Sequence, residues 1–143
     1  MNKNKQHRGF TLIELLVVIG ILSILTAATL IAVNPGRQFV LARDTQRQGD
    51  LYNITNAIYQ YAVDNQGNVP TVITSIPTNI GTAGGLIDLT ADLVPIYISS
   101  IPRDPTTGTE ADTHYTIYKN NQSRIVASAA SELKAGTSII VIR

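Results

Sequence analysis

The chain has 143 residues, enough for one ordinary domain and too few for two with separate cores. Only 15% of residues are charged against 44% hydrophobic, a balance that excludes a disordered chain and argues against a simple soluble globule. Cysteine is absent, which rules out disulfides, zinc knuckles and thiol chemistry, and a net charge of +1 supports neither a nucleic-acid binder nor an acidic tail.

The charge is unevenly placed. Lys3, Lys5 and Arg8 supply three of the 11 basic residues, and the first acid is Glu14. Residues 15–33 then form a run of 19 without a charge. As a helix this run spans about 28 Å, close to the ~30 Å hydrocarbon core of a bilayer. A basic start beside it holds the N-terminus in the cytoplasm. The segment therefore reads as a single membrane span. A secretory signal peptide would carry a shorter apolar core and a small-residue cleavage site, and Thr26-Ala27-Ala28-Thr29-Leu30 offers no clean one. A plain anchor fits the length but gives no reason for Glu14, because a carboxylate in a membrane helix costs about 2.5–3.5 kcal/mol. Taken alone, Glu14 either marks a partner or snorkels to the interface one turn away.

The run Arg8-Gly9-Phe10-Thr11-Leu12-Ile13-Glu14-Leu15 resembles the class III signal of type IV pilins and type II secretion pseudopilins. In that family a short basic leader ends in Gly, followed by Phe, Thr and a Glu at the fifth mature position. All of these match here. The resemblance implies a leader over residues 1–9, cut by a membrane prepilin peptidase between Gly9 and Phe10, with methylation of the Phe10 amine. It also implies that Glu14 recruits subunits by pairing with the Phe10 amine of a neighbour. Such a pair neutralises two charges that are each costly in hydrocarbon, and only one axial stagger brings them together.

Beyond Val33 come Asn34-Pro35-Gly36 and then Arg37, Arg43, Asp44, Arg47 and Asp50. Leu51, Ile54, Ile58 and Tyr61 follow at spacings of one helix face. The simplest reading is one long helix over 10–64, roughly 80 Å. Residues 10–36 are its membrane or filament-core part, and 37–66 its amphipathic continuation. Pro35 removes a backbone donor and disfavours helix at Asn34, which predicts a kink or short unwound stretch at Pro35 and Gly36. The other reading ends the helix there and starts a second near Arg37. Gly20 is a further weak point or a site of close packing. The charges at 37–50 read as a solvated face, or equally as bridges between neighbouring subunits.

Turn residues at 64–70 open a loop region over 67–113, with prolines at 70, 77, 95, 102 and 105. Residues 86–93 suggest a short helix and Gly81-Thr82-Ala83-Gly84-Gly85 a flexible loop. That loop lacks the Lys-Ser/Thr ending of a phosphate site. Strand-like runs occupy 114–119 and 122–129, with a tight hairpin expected at Asn120-Asn121, and a third lies at 137–142. Three antiparallel strands laid over the face of Leu51, Ile54, Ile58 and Tyr61 bury both apolar surfaces. The fold class is α+β, with a small C-terminal antiparallel sheet over 114–143 packed on a long N-terminal helix, and this is also the pilin fold that the resemblance implies.

Tyr61 to Pro70, and Ile101-Pro102-Arg103-Asp104-Pro105 with Gly108, are similar to the major-pseudopilin pattern. Val69 and Thr106-Thr107 stand where that pattern has aromatics. The later loop tends to hold calcium in those proteins, which makes Asp104 and Asp112 candidate ligands, although exposed aspartates in a Pro-rich loop are more often turn formers.

His114 has no second ligand in sequence reach, Glu110 and Glu132 fall in no motif, and no Ser-His-acid set can be assembled. No catalytic residue, cofactor or nucleic-acid surface is expected, and the chain does not read as an enzyme. Three functions follow. The first is a type IV pilus subunit, a homopolymer served by prepilin peptidase and an inner-membrane assembly platform with its ATPase. Such a chain starts as a single-pass protein of the bacterial inner membrane and ends in a surface filament. The second is a type II secretion pseudopilin in a periplasmic filament. The third is a single-pass anchored binding module with a ligand in the loops at 71–112.

Overall fold

The computed structural model describes residues 9–143; the basic leader residues Lys3, Lys5 and Arg8 lie outside the described residues. The chain divides into two compact units, Met1–Gln38 and Phe39–Arg143.

In the first unit, helix α1 (Leu12–Val33) is uncharged after Glu14, predominantly apolar, and long enough, at about 33 Å, to cross a bilayer. None of its residues is buried. The hydroxyls of Ser23, Thr26 and Thr29 are folded back onto the carbonyls of Ile19, Leu22 and Thr26 at 2.7, 2.8 and 2.9 Å, so they leave the apolar surface unbroken.

The long helix read over 10–64 is interrupted beside Pro35, as that residue predicts, and is divided into two helices. The chain steps out of helix at Asn34, whose φ of 46° and ψ of 76° are left-handed, and α2 (Pro35–Asp64) begins at the next residue. Asn34 tolerates that conformation as a helix C-cap, and its Oδ1 accepts the Arg37 N–H at 3.3 Å. Pro35 takes the first helical position, where its missing N–H costs nothing, and Gly36 lies in the first turn.

In the second unit, the sheet has four strands rather than the three expected: β1 (Thr78–Asn79), β2 (Thr116–Lys119), β3 (Ile125–Ala130) and β4 (Ser138–Ile142), antiparallel in that order. The β2–β3 register pairs Ile117 with Ala127, and the β3–β4 register pairs Ala127 with Val141. Those inward residues pack on Leu51, Ile54, Ala57 and Ile58 of α2, with Tyr61 partly buried beside them. The face anticipated on the helix is therefore the core face. Ile73, Ile80, Ile87, Leu89 and Tyr115 close the core from the loops, and Leu93 from the short helical turn after Leu89.

Three local expectations change. The hairpin is not a two-residue turn at Asn120-Asn121. Asn120 instead accepts the N–H groups of Gln122 and Arg124 on its Oδ1, and the positive φ of 61° falls on Ser123. Of residues 86–93, only α3 (Thr90–Leu93) is helical, and Asp88 Oδ1 accepts the Thr90 N–H at 2.8 Å just before it. The glycine-rich stretch is held by backbone hydrogen bonds from Gly81, Thr82 and Ala83 to Ile87, Glu110 and Ala111 rather than left free.

Candidate functional site

Two constellations carry the chemistry of this chain, one in each unit. The first is at the start of α1. Thr11 is the N-cap, and Glu14 is the third residue of the helix. The Glu14 carboxylate accepts the Thr11 backbone N–H and its hydroxyl, both on Oε2 at 2.8 Å, while the Glu14 N–H donates to Thr11 Oγ1 at 3.3 Å. This is a capping box, in which a T-x-x-E spacing satisfies orphan donors at both ends. The signature was legible in Thr11-Leu12-Ile13-Glu14. It gives Glu14 a local task that neither snorkelling nor a partner accounts for. Gly9 and Phe10 precede the helix, outside regular structure and exposed, with Phe10 84% exposed. The Gly9–Phe10 bond thus lies open, two residues before regular structure.

The second constellation is one that sequence reasoning passed over. Arg43, Asp44 and Arg47 are not a solvated face. Arg47 is 2% exposed, and its guanidinium reaches three carboxylates. Nε and Nη2 hold Asp104 at 2.6 and 3.2 Å, Nη1 holds Asp44 at 2.8 Å, and Nη2 also meets Glu132 and the Thr106 hydroxyl. Arg43 grips Glu132 a second time at 2.6 Å. The surplus negative charge is met by neutral donors. The Ser131 hydroxyl and the N–H groups of Glu132 and Leu133 reach Asp44, and the N–H groups of Thr106 and Thr107 reach Asp104.

Electrostatics follow from those contacts. Burial pushes the Asp44 carboxyl up, but Ser131, the two backbone N–H groups and Arg47 outweigh it and hold it at about 2. Arg43, Arg47 and Thr106 bring Glu132 down to about 2 as well. Burial opposes Arg47 and two backbone donors at Asp104, and the donors win, leaving it well below the usual carboxylate range. Arg47 is correspondingly raised, first by Asp104. All four groups are charged at neutral pH, and each buried charge is paired.

The two candidate calcium ligands, Asp104 and Asp112, have protein partners in this arrangement. Asp104 Oδ1 accepts from Arg47 Nη2 and from the N–H groups of Thr106 and Thr107, and Oδ2 accepts from Arg47 Nε. Asp112 sits apart from them, accepting from Asn79 Nδ2 and from the His114 N–H. Among the described residues no set of three His, Cys, Asp or Glu side chains is grouped as metal ligands. His114, expected to open a strand, precedes β2 with a φ of 61°, and its Nδ1 lies 2.8 Å from Thr107 Oγ1. Glu132 gave no sequence signal because its partners are 85 and 89 residues away.

Residues 4–30 match the family model of the prokaryotic N-terminal methylation motif, the class III signal peptide of type IV pilins and pseudopilins. The match spans Phe10, Thr11 and Glu14 and most of α1, and it stops short of the second unit. No curated protein and no solved structure matches the chain. The motif and the apolar helix fit a pilin- or pseudopilin-like precursor and membrane anchoring of its N-terminal segment.

Proposed function

We propose that this chain is a structural subunit of a type IV pilus, cut between Gly9 and Phe10 by prepilin peptidase, methylated at Phe10 and polymerised through α1. The observation that carries the reading is α1 itself. It is a 22-residue apolar helix with every residue uncovered, joined directly to the methylation motif. In water such a surface needs partners, and identical helices supply them once the chain leaves the bilayer. Cleavage removes Lys3, Lys5 and Arg8, the charges that hold that end in the cytoplasm. It also creates an amine at Phe10. Both capping bonds fall on Glu14 Oε2, and among the described residues Oε1 accepts none, which makes it the atom for a neighbour's amine. An inner-membrane platform and its ATPase supply the work of extraction.

A pseudopilin is the second reading, favoured by the loop after Ile101. A Cβ at Gly108 would lie 2.4 Å from the Asp104 backbone nitrogen, so only glycine closes this Asp-Pro-x-x-Gly loop. Shearing intact cells separates the two. Release of the chain in long filaments supports a surface pilus. Retention of the processed chain in the cell envelope, beside an outer-membrane secretin, supports the pseudopilus.

A further inference from the structure

The sheet ends differently at its two edges. Along β1, the Ile87 N–H donates to the Asn79 carbonyl at 2.9 Å, and the Gly81 N–H donates to the Ile87 carbonyl at 3.0 Å. That loop closes the β1 edge. Along β4, the Arg143 N–H and carbonyl both bond to Ile125, and the Thr137 carbonyl accepts the Ser131 N–H. Backbone groups alternate in an antiparallel strand, so those of Ser138, Ile140 and Ile142 point away from β3. Their three N–H and three C=O groups have no hydrogen-bond partner among the described residues.

An open sheet edge is ordinarily blunted by a charge, a proline or a bulge. The β4 strand has none of the three. Ser138-Ile139-Ile140-Val141-Ile142 is uncharged and pairs with β3 without interruption over all five residues. Val141 faces the core, so Ile140 and Ile142 stand on the outer face, 57% and 52% exposed. An added strand satisfies the open backbone groups and covers both isoleucines at once.

The strand that fits is β4 itself. Two copies laid antiparallel and centred on Ile140 set Ile140 opposite Ile140, and Ser138 opposite Ile142. Every open N–H and C=O of each copy then meets its complement on the other. Arg143 falls opposite Thr137, so no like charges face each other, whereas a parallel pairing sets the two arginines side by side. The β1 edge cannot serve as the partner, because Ile87 already occupies it. We infer that β4 of one copy pairs antiparallel with β4 of a second copy, joining their sheets across a two-fold axis. Such a contact closes on itself, so it makes a dimer and lengthens no filament. It is independent of whether the chain serves a pilus or a pseudopilus.

The chain has no cysteine, so a single introduced one reports the seam alone. Opposed residues in such a pair lie about 5.5 Å apart at Cα, within reach of a disulfide. The test oxidises cells expressing full-length Ile140→Cys with copper phenanthroline. Ile96→Cys, 78% exposed but outside the sheet, and Ile139→Cys, packed toward the core, are the comparisons. Ile140→Cys should yield about fivefold more disulfide dimer than either. Adding Ile142→Pro removes one outward N–H from each copy and no bond to β3. That double variant should lose most of the dimer while its melting temperature moves by only a few degrees. An Ile140→Cys yield no higher than the two comparisons overturns the inference, whatever the proline does. Undiminished dimer from the double variant overturns it as well.

Discussion

Arg47 holds Asp104 through two nitrogens, Nε to Oδ2 at 2.6 Å and Nη2 to Oδ1 at 3.2 Å, although 57 residues separate them in the chain. The same guanidinium reaches Asp44 and Glu132, so one cation ties α2 to the loop after Ile101 and to the connection between β3 and β4. Removing it leaves three carboxylates without their shared counter-charge. Arg47→Met should cost about 3–5 kcal/mol in a denaturant titration of the detergent-solubilised chain. Arg47→Lys should recover only part of this, because an ammonium cannot span the fork. A loss below about 1 kcal/mol for Arg47→Met would show that the network is decorative.

Occupation of Asp104 by Arg47 also predicts indifference to calcium. The unfolding midpoint should be the same with millimolar calcium as with chelator, since a ligand stabilises only by binding the folded state. A midpoint that rises with calcium contradicts the assignment of both Asp104 oxygens to protein donors.

Stability should depend on pH in one direction. Asp44 and Glu132 titrate near about 2 when folded, against ordinary values of 3.8 and 4.5. Across the interval between, the unfolded chain binds more protons, so stability is complete above the ordinary values and drains away as pH falls toward 2. Asp50, pushed up by burial, works in the opposite sense and offsets a part. A urea midpoint that stays flat from about pH 5 to about pH 2.5 contradicts this.

Gly108 and Gly49 should respond oppositely to alanine. A Cβ at Gly108 collides with the Asp104 backbone, and overpacking of that kind costs about 1–3 kcal/mol. Gly49→Ala meets open space and should stabilise the single chain by up to about 1 kcal/mol. Thermal melts of the two variants check the sign of each.

The sequence made some features legible and hid others for physical reasons. The apolar length of residues 15–33, the motif around Phe10 and the core face of Leu51, Ile54 and Ile58 are local or periodic signals, and each appears where it was read. The break was read at Pro35 and Gly36, but Pro35 is a favourable first residue of α2, and Asn34 bears the left-handed conformation. The Arg47 network was invisible because a charged run looks solvated until partners 57 and 85 residues away fold against it. The strand β1 escaped because two residues, Thr78 and Asn79, carry no period.

Glu14 caps α1 and, in the proposed reading, also pairs with a neighbour's amine, and substitution separates the two. Glu14→Gln keeps a capping-box residue but no charge, and Thr11→Ala keeps the charge but no cap. If Glu14 pairs with a neighbour's amine, Glu14→Gln and Glu14→Ala should both be cut normally and fail to assemble, while Thr11→Ala assembles. Filaments of ordinary abundance from Glu14→Gln would leave the carboxylate only its role in the cap.

The most direct test of the account is mass spectrometry of the N-terminal peptide, taken from material sheared off cells. A peptide beginning at N-methylated Phe10 is the predicted result, and it reports cleavage, methylation and assembly in one sample. A chain that retains Gly9 and the residues before it, in that fraction or in the membrane, contradicts processing at the Gly9–Phe10 bond and with it the pilin-type reading.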